Sequence, residues 1–259
     1  MPVPGIDPEA HLVVDNSLLV MLMDYFLERR GRSIPPVQLT AKAQQWMSDQ
    51  LTLLAKHTPD GKIHCPEGVA QEFKPRAGRM VNLPGIRVQD CDAVGRHVRG
   101  LLCCSCTAPD TVQFLRQLPA APRRLVGPGG LSDNDLSLVA KGLELTAAKQ
   151  AVYILAGDQD LLTFTSWARI QPLVVARWPA AKKLSGLGGM LYLEAVHRHC
   201  DIATEEMTAL VNFAFAEHYQ RTDIRGSKKG NAILQMLIEV NTSLVESARI
   251  KQSFKGVAV

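Results

Sequence analysis

The sequence predicts an α/β fold, a parallel sheet flanked by helices in three layers, with an all-helical C-terminal extension. Three observations carry this. Two short apolar runs, HLVV from residue 11 and VYIL from residue 152, read as buried strands, and each is followed at once by a helical pattern. Strands alternate with helices over much of the chain, and parallel neighbours need crossovers, usually helices. From about residue 165 the texture becomes helical throughout. The 259 residues are 46% hydrophobic and 21% charged, which suits a folded chain and excludes wholesale disorder.

The elements follow in order. MPVPGIDPEA, residues 1–10, is rich in proline and glycine and reads as an extended lead-in. HLVV then stops at Asp15, and NSLLVMLMDYFLERRGR carries Leu18, Leu22, Tyr25 and Phe26 at helical spacing before Gly31. TAKAQQWMSDQLTLLAKH repeats the helical pattern, with Thr40 as the expected N-cap, and HTPDGK is a turn. IHCPEGVAQEF predicts a short extended segment, then a helix with Pro66 in its first turn and Glu72 toward its end.

Residues 74–125 read as a basic insertion holding Arg76, Arg79, Arg87, Arg96 and Arg99. Within it, CCSC at 103–106 is expected to contribute buried thiols, and APDTVQFLRQL a helix from near Pro109. APRRLVGPGG reads as a short strand and turn. SDNDLSLVAKGLELTAAKQ is a helix whose Ser132 and Asp135 form a capping-box pattern. Beyond residue 178, LSGLGG is expected to be a turn, and amphipathic helical stretches are predicted near 187–200, 204–220 and 230–250.

Several function classes are excluded or left without support. No run approaches the about 18 apolar residues of a spanning helix, and no signal-peptide pattern is seen, so a cytoplasmic protein without membrane association is expected. The six cysteines suggest neither a disulfide framework nor a zinc ribbon. VGPGG and LSGLGG fit no phosphate-loop pattern. His197, His199 and Cys200 lack a second ligand pair and read as surface or core residues. A net charge of +4 suits an anionic partner without establishing one.

The acids are more informative. In an open parallel sheet, ligands bind beyond the carboxyl ends of the strands, where strand order reverses. Asp15 and Asp158 would meet on one rim if both strands are central, and Asp135 would reach the same place from the first turn of its helix. Taken singly, Asp15 and Asp158 are N-caps, Asp135 completes a capping box, Asp133 favours a helix N-terminus, and Glu72 is a solvated surface residue. Taken together, converging carboxylates repel one another unless a hard divalent cation neutralises them, and this points to Mg2+ or Mn2+.

The segments HLVVDNSLLV, PEGVAQEF, LSDNDLSLVAKGLEL and VYILAGDQDLL resemble, in that order, the four acidic motifs of the PIN-domain nucleases. The resemblance spans about residues 11–165, within a PIN-like domain expected over 11–178, and residues 179–259 would form the helical extension. It implies that Asp15, Glu72, Asp135 and Asp158 serve as catalytic and metal-holding residues, supported by Ser17, Asp160 and, more weakly, Asp133. Asp133 is the weaker because it points about 200° from Asp135 around one helix. Ala156 is a departure, since many members carry Thr or Ser two residues before the last acid.

The implied activity is metal-dependent RNA hydrolysis, in RNA processing, in decay, or as the toxin of a toxin-antitoxin pair. The alternative is a non-catalytic RNA-binding or assembly protein that keeps the fold. The five arginines read either as a solvated basic face or as phosphate contacts for RNA. The helical tail would extend the core, form a homodimer or bind a protein partner, and RGSKKG at 225–230 would touch RNA.

Overall fold

The computed structural model describes residues 7–74, 79–118 and 131–190, together with 192, 193 and 196. Arg76, the segment APRRLVGPGG, the residues His197, His199 and Cys200, RGSKKG and the helical stretches at 204–220 and 230–250 lie outside the described residues, as does the start of the lead-in.

Strand β1, Ala10–Val14, is buried along its whole length, His11 included. Helix α1, Asn16–Arg29, follows without a loop and sends Leu18, Leu22, Tyr25 and Phe26 into the core. Helix α2, Pro36–Ala55, begins a turn earlier than Thr40, because a proline in the first turn costs no hydrogen bond. Its Trp46 stacks on Phe26 at 6.1 Å between ring centroids and donates its indole N–H to the Leu22 carbonyl, which fastens α2 to α1. Strand β2, Ile63–Pro66, leads directly into the short helix α3, Glu67–Glu72.

The stretch read as a basic insertion belongs to the domain itself. It carries helix α4, Val88–Leu101, the strand β3, Cys103–Ser105, and helix α5, Pro109–Gln117. Helix α4 buries Cys91, Val94, Gly95 and Val98 along one stripe. Strand β3 is short and lies at the sheet edge, so Cys104 and Cys106 are exposed and Cys103 is half-buried rather than sequestered. Cys65 and Cys91 are the buried thiols.

Helix α6, Asp133–Thr146, begins at the expected capping box, and strand β4, Ala151–Ala156, is followed by α7, Gln159–Ile170, and α8, Pro172–Arg177. The chain then adds a fifth strand, β5, Leu184–Gly188, formed from the LSGLGG segment expected to be a turn. The sheet therefore extends past residue 178, into the region read as all-helical; helix resumes beyond it, at residues 192, 193 and 196. Glycine here serves packing: a Cβ on Gly186 would stand 3.0 Å from Leu162 Cδ2 and 3.2 Å from the Leu162 backbone, so only a bare strand lets α7 lie so close.

All strand pairs are parallel, in the order β3-β2-β1-β4-β5. Helices α6 and α7 cover the face carrying Ile154 and Gly186, while α1 packs on the opposite face, that of Leu155. The α/β layering predicted from the alternation is thus present. Among the described residues no helix is long and apolar enough to cross a membrane.

Candidate active site at the switch point

Strand order runs one way from β1 to β2 and β3 and the other way from β4 to β5, so the switch lies between β1 and β4. The register pairs Val14 with Leu155, and the next residues of both strands form the rim of that crevice. Asp15 continues the pairing through its N–H, which donates to the Leu155 carbonyl at 3.0 Å. Asp15 then caps α1, accepting from the Ser17 N–H at 3.0 Å. The Ser17 hydroxyl donates to the same Asp15 oxygen, Oδ2, and accepts from the Gly157 N–H at 2.8 Å. One hydroxyl thereby joins the Asp15 turn to the residue that precedes Asp158.

Asp158 caps α7 in the same manner, its Oδ1 accepting from the Asp160 N–H at 2.7 Å. Asp135 closes the reciprocal cap of α6: its Oδ2 accepts from the Ser132 N–H at 2.6 Å, and its own N–H donates to the Ser132 hydroxyl. Glu72, at the end of α3, is exposed, and its Oε1 accepts from the side-chain amide of Asn134 in the first turn of α6. Asn134, flanked by Asp133 and Asp135, thus ties the second motif to the third. It has no acidic group to attract notice in the sequence. Only the close packing of α3 on α6 reveals it, where a Cβ on Gly68 would collide with the Asn134 amide.

The electrostatics show which acids share an environment. Asp15 is 7% exposed, and burial pushes its carboxyl up to about 6 against the opposing hydrogen bonds from Ser17, with the charge of Asp135 adding to the rise. The buried Cys65 thiol, in β2, is pushed well above the usual thiol range, first by burial and also by the charges of Cys104, Asp15 and Glu72. Asp15, Glu72 and Asp135 therefore act on one another or on a common neighbour across the ends of β1 and β2, and Asp158 reaches Asp15 through Ser17.

A hard divalent cation fits this donor set. Asp15, Asp135 and Asp158 each commit one oxygen to a capping bond and Glu72 one to Asn134, with Asp15 also receiving a backbone bond from Asn16; carboxylate oxygens are the ligands such an ion takes. The acids are nonetheless spread out. No three of them bring ligand atoms within 4.8 Å of one another, a criterion met among the described residues by His11, Asp60 and His64 alone. Direct and water-mediated contacts would therefore have to share the coordination.

The remaining candidates are placed as follows. Asp160 stands in the first turn of α7 beside Asp158, partly exposed. Asp133, a supporting candidate, pairs with Arg116 of α5. Arg79 opens a short helical turn, Arg79–Asn82. Arg87 pairs with Asp90 at 3.2 Å at the start of α4. Arg96 and Arg99 lie about 14–18 Å further along that helix, and the Arg99 carbonyl accepts from the Cys104 Sγ of β3 at 3.7 Å.

Comparison of the chain with protein-family models, with curated proteins and with solved structures gave no match. Function must accordingly be argued from the rim itself.

Proposed function

We propose that the protein is a metal-dependent ribonuclease of the PIN type, with Asp15, Glu72, Asp135 and Asp158 holding Mg2+ or Mn2+ at the switch point. The observation that carries this reading is the register of β1 on β4, which sets Asp15 and the Gly157-Asp158 turn side by side at the carboxyl end of the sheet. A cation held there supplies charge neutralisation at a phosphodiester and a water acidic enough to attack it. The chain's own residues provide the rest. Asp15 and Asp158 are fixed by their caps, Ser17 locks their spacing, and Asn134 orients Glu72. Asp160 stands ready to accept a proton at the open side of the rim.

The test is cleavage of single-stranded RNA by the full chain. Asp15→Asn keeps the cap but removes the charge, so Mn2+-dependent cleavage is expected to vanish while the protein stays folded; undiminished cleavage refutes the assignment. A second reading, a non-catalytic RNA-binding protein, draws on the spacing of the acids and on the capping bond each Asp already makes. It predicts RNA binding that persists in chelator with no cleavage under any divalent ion.

A further inference from the structure

At the other end of the sheet, three side chains that the sequence reading passed over come together. His11 is the second residue of β1 and His64 the second of β2. The register pairs Val13 with His64, and His11 lies two residues before Val13, so both imidazoles project from the same face. Their ring centroids are 5.8 Å apart, and His11 and His64 are 1% and 7% exposed. Asp60 reaches them from the turn before β2, its Oδ2 lying 2.9 Å from His64 Nε2 and 3.4 Å from His11 Nδ1.

Asp60 is held in this pose. Its Oδ1 accepts from the Lys62 N–H at 3.2 Å, and Gly61 supplies the positive φ of +64° that the turn needs, so Oδ2 is left for the histidines. His11 Nδ1 is buried and has no hydrogen-bond partner among the described residues, although it faces a carboxylate oxygen. A separation of 3.4 Å is long for a hydrogen bond, yet it is about the edge of a tetrahedron with arms of about 2.1 Å. Burial also holds the His64 pKa below the usual imidazole range, which favours the neutral form that binds metal.

We propose that His11, Asp60 and His64 form a binding site for a borderline-soft divalent ion, Zn2+ by its donor set, with water in the fourth position. Two imidazoles and one carboxylate suit zinc far better than Mg2+, which takes oxygen ligands and keeps most of its water. The exposed position of Asp60 leaves the fourth ligand accessible to solvent. His11 is four residues from Asp15, or about 13 Å along the strand, so this ion is separate from any cation at the rim. It would clamp the turn holding Asp60 onto β1 and β2. Because His64 Nδ1 also lacks a partner among the described residues, none of them supplies an outer hydrogen bond to orient that ring, and the affinity should be modest for a zinc site.

The test uses the full-length protein stripped with chelator and titrated with Co2+, whose visible bands report tetrahedral coordination, followed by displacement with Zn2+. One equivalent of Co2+ is expected to give those bands and Zn2+ to abolish them. Asp60→Ala, in an exposed turn where folding should survive, should weaken Co2+ binding by more than about tenfold. His64→Gln should do likewise, and Asp15→Asn should leave binding unchanged. Absence of tetrahedral bands in the wild-type protein overturns the proposal. So does Co2+ binding that survives Asp60→Ala in full, or that is lost on Asp15→Asn.

Discussion

Asp15→Asn tests the burial of the rim by a route independent of catalysis. The folded-state pKa of Asp15 lies above the ordinary carboxyl value of 3.8, at about 6, chiefly because the group is buried. A raised carboxyl pKa means that the folded protein holds the proton more tightly than the unfolded chain. The associated stability is fully present below about pH 4 and is lost as pH rises through about 6. At about 1.4 kcal/mol for each pKa unit, the loss at neutral pH is about 3 kcal/mol. For a domain of this size that is about 6–12 °C in Tm.

Asparagine caps a helix as well as aspartate does, and its carbonyl oxygen still accepts from Ser17, so the substitution removes the charge and little else. The assay is thermal unfolding of both proteins from pH 4 to 8 in chelator, comparing the difference in Tm so that other titrating groups cancel. The two should melt together near pH 4, and the variant should gain steadily up to about pH 6.5 and then hold its lead. Parallel curves across the whole range would refute the claim that Asp15 is a buried, costly charge.

Three further outcomes are expected. Asp135→Asn should impair Mn2+-dependent cleavage strongly and Asp133→Asn hardly at all, since the charge of Asp135 acts on Asp15 whereas Asp133 is paired with Arg116; steady-state rates on a single-stranded RNA separate the two. Gly186→Ala should destabilise the fold by about 1–3 kcal/mol, because the added methyl meets the α7 backbone as well as side chains, and urea denaturation measures it. Arg99→Ala should weaken RNA binding and flatten its salt dependence, because Arg99 stands beside Cys104 of β3, and binding titrated against salt measures it.

The legible parts of the fold were those where one physical demand dominates. Strands β1 and β4 are buried on both faces over most of their length and so largely apolar, and each is followed within two residues by an aspartate that caps a helix. The Ser132 and Asp135 box is a local signal and appears as expected. Strand β5 was illegible because LSGLG is chosen for close approach of α7, which removes the side chains that announce a strand. Strand β3 was hidden by being three residues long and half exposed. The charges of α4 obscured its stripe of Cys91, Val94 and Val98.

The same holds for the rim. The four acids could be named in advance, but Asn134 acts only through the packing of α3 on α6, and Asp133 is paired with Arg116 of the preceding helix. The pairing of His11 with His64 depends on strand register, which neither HLVV nor IHCP reveals by itself.

The Ser17 hydroxyl bond to Gly157 spans 140 positions of the chain. During synthesis, β1 leaves the ribosome early and can take β2 on one edge, but its other edge stays open until β4 has been made. Until then Asp15 has no neighbour across the switch point, and the nascent chain cannot complete the four-acid rim. If the rim cuts RNA, the nascent chain is inert toward its own message and the translating ribosome until Asp158 has been made.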